Sequence, residues 1–239
     1  MNHLHPPFND PKIRRAIRLA VNQDDYMRAA RGDDTTTWNI CRDLYPKGTP
    51  YHQDHADLMP VSMDAARAAL KDSGYTGQKL VVINPTDFPD IGPLGQVSAE
   101  MMKKLGMNVD LQEMDWGSVV QRRTKREPVE QSGWSMLHTT SSAASMASPA
   151  TNSFLRGQGA GGWFGWYGNE QIEQLTQQWA DAPDEATQSQ LAHKIGRIAL
   201  EDCGTIPVGQ FYLQTAYRRR ITGMLQGVAP YPWNVRPAS

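Results

Sequence analysis

Apolar residues near the start of the chain recur at intervals of three and four, which is the spacing of one buried helix face. The residues that share this spacing are Ile13, Ala16, Ile17, Ala20 and Val21. Asn9 or Asp10 can cap such a helix, and Pro11 suits its first position. The pattern therefore predicts an amphipathic helix that begins at Pro11.

Two further short helices are predicted on either side of an irregular segment. The first runs from about Asp24 to Arg31 and ends at Gly32, and the second covers Ala65 to Lys71 behind a cap at Ser62. Residues 33–60 show no periodicity and contain several prolines, which is typical of a loop on the protein surface.

The middle of the chain predicts a strand, a helix and a second strand in succession. Lys79–Ile83 is an apolar run with β-branched residues, Leu94–Leu105 has helical character, and Met107–Leu111 alternates apolar and polar positions. A strand–helix–strand unit places its two strands in parallel. Asp115 can cap another helix that extends through Arg126. The fold class is therefore α/β, and we expect one domain over residues 1–239.

The last hundred residues change in character. Gly133–His138 predicts a short strand, and between Glu130 and Glu170 the only Asp, Glu, Lys or Arg residue is Arg156. Two helices follow, and Thr205–Gln214 predicts a strand. The uncharged tract from about Trp134 to Trp166 has two interpretations, a core loop held by tryptophans or the lining of a small-molecule site.

Charge and composition narrow the possible partners. The chain has 24 Lys and Arg against 25 Asp and Glu, which argues against nucleic acid as its main partner. Its 39% hydrophobic content suffices for a core, and no apolar run is long enough to cross a membrane. The start of the chain lacks the features of a signal peptide. Cys41 and Cys203 can form a disulfide or remain two buried thiols, and we favour the second.

Three groups of residues could form a nucleotide site, a metal site or a catalytic site. Gly157–Gly162 matches G-x-G-x-x-G, but no strand precedes it and no helix follows directly, so we expect a flexible loop instead of a nucleotide site. His52–Asp57 contains potential metal ligands in a Pro-rich loop, and we expect solvated loop residues there. No cofactor and no metal are expected. His138 with a nearby Ser leaves a hydrolase as the alternative function, although no Gly-x-Ser-x-Gly motif is present.

Four segments in order resemble a known family. Pro6–Ala16 resembles the opening "PPF-D-x-x-V-R-x-A" of the second lobe of periplasmic oligopeptide- and dipeptide-binding proteins, the extracellular solute-binding family 5 subunits of ABC importers. Asp64–Tyr75 is similar to that family's "D-x-x-x-A-x-x-L-L-x-x-A-G-Y". Lys104–Val109 with Asp115-Trp116 resembles its "L-G-I-x-V-x-L" and "D-W", and Ile206-Pro207-Val208 its "P-x-I-P-L".

The resemblance implies a periplasmic-binding-protein-like lobe with a mixed β-sheet flanked by helices. It further implies that this lobe captures a peptide or peptide-like small solute together with a missing N-terminal lobe, for delivery to a membrane permease. The family's signal peptide would lie in that missing part, so a periplasmic location is expected, and no enzymatic activity. Residues 225–239 would either belong to this lobe or return toward the missing one.

The resemblance also locates candidate ligand contacts. Gly133-Trp134 is similar to the "G-W" of the family strand that enters the cleft, after which peptide binders carry an Asp for the ligand's amino group. This sequence has Leu137 and serines in that stretch, so the usual recognition of a peptide amino terminus is in doubt. We expect ligand contacts from residues of this stretch and from one acid in the loop after the first strand. They are Trp134, His138, Thr139, Thr140, Ser145 and Asp87. For Asp87 the alternative is a capped surface turn formed with Asp90.

Overall fold

The computed structural model describes residues 1–225, 227 and 231–238. Its helices are α1 (Pro11–Ala20), α2 (Gln23–Arg31), α3 (Met63–Asp72), α4 (Gly92–Lys104), α5 (Trp116–Arg122), α6 (Glu170–Ala180) and α7 (Glu185–Asp202). Its strands are β1 (Trp38–Asn39), β2 (Leu80–Pro85), β3 (Val109–Met114), β4 (Met136–Leu137), β5 (Gln210–Phe211), β6 (Ile221–Thr222) and β7 (Arg236–Pro237). No helix among these described residues is both long and apolar enough to span a bilayer.

Helix starts follow the capping residues that the sequence predicts. Asp10 accepts a hydrogen bond from the Lys12 amide before α1, and Ser62 accepts one from the Ala65 amide before α3. Helix α5 ends at Arg122 and not at Arg126 as predicted. The amides of Thr124 and Lys125 bond to carbonyls three residues back, and this tighter turning ends the α-helix.

The central sheet has the strand order β3-β2-β4, and both of its pairings are parallel. Leu80 lies opposite Val109, and Val82 lies opposite Met136. The predicted strand–helix–strand unit is therefore confirmed. Antiparallel pairing also occurs, but in two separate two-stranded ribbons, β1–β5 and β6–β7.

Both faces of β2 are covered, which explains its continuous apolar sequence. Leu80 and Val82 belong to a core cluster with residues of α1, α3 and α4. Val81 and Ile83 point to the opposite face, into a second cluster around Trp134. A third cluster joins α6 and α7 to residues Leu44, Tyr45, Leu155 and Tyr167.

The predicted strand at Thr205–Gln214 is reduced to β5, which pairs with β1 through Trp38 and Phe211. Pro207 has no amide hydrogen for a ladder, and Gly209 has a positive φ of 128°, so the segment before β5 cannot continue a regular strand. The expectation for residues 225–239 falls partly outside the described residues, and the described part contains β7.

Candidate functional site

A cavity of about 880 Å³ lies at the carboxyl end of β4. Its walls come from the buried sides of α1 and α2, from residues 41–50, from the uncharged tract after β4, and from residues 204–213. The carboxyl ends of parallel strands are a common location of ligand sites in α/β proteins. The uncharged tract, for which the sequence predicted either a core loop or the lining of a site, therefore contributes much of the cavity wall.

Three buried polar side chains form a hydrogen-bonded row in this wall. The hydroxyl of Tyr26 lies 2.7 Å from the Ser98 hydroxyl, which lies 2.8 Å from Nε2 of His138. Burial lowers the pKa of His138 to about 3, so its imidazole is neutral near pH 7. The row therefore offers uncharged hydrogen-bonding groups.

Hydroxyl groups continue the wall beyond His138. Thr139 and Thr140 both line the cavity, as do Ser141 and Ser142. Ser145 is exposed and bonds to the hydroxyls of these two serines, but its own side chain is not part of the lining. The structure thus brings His138, Thr139 and Thr140 together, with Ser145 directly behind them.

The charged residues of the described lining are Asp43, Lys47 and Arg156. The buried Asp43 carboxylate accepts hydrogen bonds from the amides of Gln53, at 2.6 Å, and Tyr45, at 3.3 Å. Desolvation raises its pKa. Arg156 is engaged by Glu173 through both Nε and Nη2. The single carboxylate of the described lining, that of Asp43, therefore already accepts hydrogen bonds from the protein's own backbone.

Trp134 lies outside the cavity lining, contrary to its predicted contact with a ligand. It is 1% exposed, packs against Trp166 with ring centroids 5.9 Å apart, and donates from Nε1 to the Arg123 carbonyl. The apolar cluster around Trp134 covers one face of the sheet, and Val119 of α5 belongs to the same cluster. Both interpretations of the uncharged tract are thus realised, since Trp134 is core and the residues after β4 are lining.

Asp87 is also away from the cavity. Its side chain is exposed in the loop after β2, and Oδ1 accepts a hydrogen bond of 2.7 Å from the amide of Trp116, the first residue of α5. Asp90 pairs with Arg31 at 2.6 Å. Asp87 thus bonds to α5 and Asp90 to α2, so the two acids do not together cap a turn of their own loop, and the structure does not bring Asp87 near His138.

Two lining residues were not identified from the sequence: Ser98 and Tyr26, which support His138 from α4 and α2. Trp163 and Phe164, which belong to the uncharged tract, add aromatic surface. Ser98 is the one polar residue on the buried side of α4 between Leu94 and Met101. A hydroxyl in the middle of an apolar helix face is a signal that sequence analysis can use.

The glycine-rich segment, the His52–Asp57 segment and the two cysteines each have a structural explanation. The glycine-rich segment contains a 3-10 turn at Gly159–Gly161 and lacks the helix N-terminus that binds a pyrophosphate. Asp54 of the His52–Asp57 segment pairs with Arg42 through two hydrogen bonds, and the described residues contain no group of three potential metal ligands. Cys41 and Cys203 are both buried and free, as favoured.

The hydrolase alternative lacks the arrangement that it requires. The serine bonded to His138 is Ser98, which is 2% exposed and also holds the Tyr26 hydroxyl. Nδ1 of His138 has no carboxylate partner among the described residues. Without an exposed nucleophile and an orienting acid, this pair cannot act as a catalytic triad.

Comparisons with known proteins place the chain in one family. Residues 1–161 match the model of the bacterial extracellular solute-binding proteins, family 5 Middle. Over 245 residues the chain is 29% identical to a probable peptide ABC transporter periplasmic-binding protein of Sinorhizobium fredii, covering 100% of this chain and 45% of that protein. It is 24% identical to the glutathione-binding protein GsiB of Escherichia coli K12, covering 93% and 44% of the two chains.

Solved structures share the fold. The clavulanic acid biosynthesis oligopeptide binding protein 2 matches with a TM-score of 0.81 at 17% identity, over 100% of this chain and 46% of that one. A dipeptide binding protein from Pseudoalteromonas sp. SM9913, in complex with Met-Leu, matches with a TM-score of 0.73 at 17% identity, over 99% and 47%.

The chain spans slightly less than half the length of these relatives. The family match extends over the elements from α1 to β4 and into the tract that lines the cavity. The cavity, the parallel sheet beside it and the order of the segments agree with that match. This chain belongs to the family 5 bacterial extracellular solute-binding proteins.

Proposed function

We propose that this chain forms the solute-binding lobe of an ABC importer's substrate-binding component. It captures a peptide or peptide-like small solute together with a second, N-terminal lobe and delivers it to a membrane permease. The observation that carries the proposal is the cavity at the end of β4, with its wall of neutral hydrogen-bonding groups and aromatic side chains. Such a wall suits a small solute with polar groups and apolar surface.

The chemistry of the wall agrees with a peptide-like solute. Amide groups carry one donor and one acceptor each and no charge, so they match hydroxyls and a neutral imidazole. His138, Thr139 and Thr140 supply these groups, and Ser145 supports the hydroxyl rim. The Asp43 carboxylate in the described lining is engaged by backbone amides, so this lobe is poorly suited to anchor a solute ammonium group.

Capture between two lobes explains why a solute site lies open on one of them. Closure around a hinge lets the solute select the closed form, which a permease then recognises. The protein acts by binding and release and leaves the solute chemically unchanged. A periplasmic location follows from this role.

The test combines location and binding. Antiserum against this chain should detect the protein in the periplasmic fraction of its source organism, and solute extracted from the purified protein should be peptide-like by mass spectrometry. His138→Ala should weaken binding of that solute by at least about fivefold, the effect of one lost hydrogen bond. His193→Ala, on α7 and outside the cavity lining, is the matched control and should bind normally. A protein found only in the cytoplasm would overturn the proposal, and so would a purified protein that binds no peptide-like solute. An affinity unchanged by His138→Ala would remove His138 from the site.

A further inference from the structure

The hydrogen-bonded row behind the cavity wall has an order that fixes where its protons lie. Tyr26 and Ser98 are 1% and 2% exposed, and His138 is 9% exposed. The row starts at the Tyr26 hydroxyl, passes through the Ser98 hydroxyl and ends at Nε2 of His138. Among the described residues the Ser98 hydroxyl has hydrogen-bond contacts with Tyr26 and His138 alone, so its single proton goes to one of them and the other must donate to Ser98.

Two directions are possible, and the surroundings favour one. If Tyr26 donates to Ser98, then Ser98 donates to Nε2, and the imidazole keeps its proton on Nδ1. In the reverse direction, the Tyr26 hydroxyl proton has only Sδ of Met101, at 3.8 Å, which is a weak acceptor. A phenol is also the stronger donor and an imidazole nitrogen the stronger acceptor. The row therefore runs from Tyr26 to His138.

At the far side of the ring, Nδ1 is buried beneath the surface of the wall and has no hydrogen-bond partner among the described residues. Buried polar groups in native proteins nearly always have partners, so an unpaired N–H on a residue that lines a cavity indicates a partner supplied from elsewhere. The ring is held neutral by burial, which makes Nδ1–H an ordinary donor and not a cation.

We propose that Nδ1–H of His138 is a specificity-determining donor for an acceptor oxygen of the solute, an amide carbonyl or a carboxylate. Ser98 and Tyr26 are positioning residues that keep the proton on Nδ1. The inference rests on the proposed solute-binding function and names the group by which this lobe recognises its solute. An ammonium group is disfavoured at the same position because it would meet a donor with a donor.

The charges of the wall do not oppose this assignment. The ammonium of Lys47 is in no ion pair with any described residue, whereas Arg156 is paired with Glu173. Asp43 is the acid of the described lining, and backbone amides hold its carboxylate. Within the described lining, Lys47 is therefore the side-chain cation left to attract a negatively charged acceptor oxygen.

The direction of the row is tested first, on the ligand-free chain. With ¹⁵N-labelled histidine, NMR distinguishes a protonated ring nitrogen from a bare one, and the loss of signals in His138→Gln assigns the residue. We expect Nδ1 protonated and Nε2 bare. Ser98→Ala should abolish this preference and Ser98→Thr should restore it, whereas Tyr26→Phe should shift protons toward Nε2. Tyr217→Phe, at an exposed tyrosine, should change nothing. A proton on Nε2 in the unmodified protein overturns the inference, whatever the protein binds.

The acceptor chemistry is tested with two probes on the protein as its source organism makes it. Acetyl-Ala-Ala has acceptor oxygens and a carboxylate without an ammonium, and Ala-Ala amide has an ammonium without a carboxylate. By calorimetry we expect acetyl-Ala-Ala to bind at least about tenfold more tightly. His138→Gln should remove the preference, and His138→Asn should keep part of it because the Asn amide nitrogen occupies the position of Nδ1.

The outcomes separate the two proposals. Affinities for both probes that His138→Gln leaves unchanged, or a preference for acetyl-Ala-Ala that survives His138→Gln, overturn the role of Nδ1–H and leave the solute-binding function standing. If neither probe binds, a peptide-like solute is refuted, and the acceptor assignment falls with it.

Discussion

Replacement of Trp134 by alanine separates a core role from a ligand contact, because the two roles affect different measurements. The indole is 1% exposed and packs against Trp166, and its Nε1 donates to the Arg123 carbonyl. Burying about 200 Å² of aromatic side chain contributes about 5 kcal/mol at 25 cal/mol per Å². Measured tryptophan-to-alanine changes in cores cost about 3–5 kcal/mol.

The carbonyl of Arg123 would also lose its indole donor, which adds about 1 kcal/mol. We therefore expect Trp134→Ala to lower the free energy of unfolding by about 5 kcal/mol. With a urea dependence of about 2 kcal/mol per molar, the unfolding midpoint falls by about 2.5 M. Trp134→Phe keeps most of the apolar contact and should lower the free energy of unfolding by about half as much.

The assay is urea denaturation followed by circular dichroism, with solute affinity measured on the folded fraction. Trp233→Ala is the matched control, since that indole is 79% exposed and its loss should cost less than about 0.5 kcal/mol. A loss below about 1 kcal/mol for Trp134→Ala, combined with a large loss of affinity, would refute the core assignment and return Trp134 to the binding site.

Three more predictions concern stability. Gly133→Ala should destabilise the fold strongly, because a Cβ would lie 1.8 Å from the Glu127 carbonyl oxygen. Gly161→Ala is the control, because a Cβ there meets open space and should leave the urea midpoint unchanged. Equal urea midpoints for the two variants would contradict this prediction. Asp10→Ala should cost about 1 kcal/mol through the lost cap of α1, and an unchanged thermal midpoint would count against that cap. His138 has a pKa of 6.5 when unfolded and about 3 when folded, so the unfolded state takes up its proton first as the pH falls. The stability that neutral His138 contributes is fully present above pH 6.5 and is lost toward pH 3, with about 2 kcal/mol lost by pH 5. Urea titrations at pH 8 and pH 5 should therefore show a smaller decrease in the free energy of unfolding for His138→Asn than for the unmodified protein.

Local signals in the sequence predicted the local structure well. Asp10, Ser62 and Asp115 cap helices as their positions indicate, since a cap depends only on the few residues that follow it. The parallel pairing of β2 and β3 followed from the strand–helix–strand spacing. The end of α5 and the short β5 were less predictable, because tighter turning, Pro207 and Gly209 act against the apolar pattern there.

The site was predictable only in part. The absence of charge after β4 marked the wall that includes His138, Thr139 and Thr140. Both residues of β4 line the cavity, whereas Trp134 precedes the strand and packs against Trp166 from a later part of the chain. Trp134 therefore could not be assigned from the sequence. Tyr26 and Ser98 reach His138 only through the packing of α2 and α4 beside the sheet.

The pairing of β1 with β5 has a consequence for the order in which the molecule is completed. Trp38 and Phe211 are adjacent in that ribbon, and Gln23 joins the carbonyls of Cys41 and Pro207 across the same region. Contacts between such distant parts of the chain close a very long loop and form slowly. Residues 204–213 thus add their part of the cavity wall only after the residues of the central sheet have been synthesised. A chain that ends before β5 has the sheet but lacks this part of the wall, and solute binding will stabilise the longer protein selectively over such shortened forms.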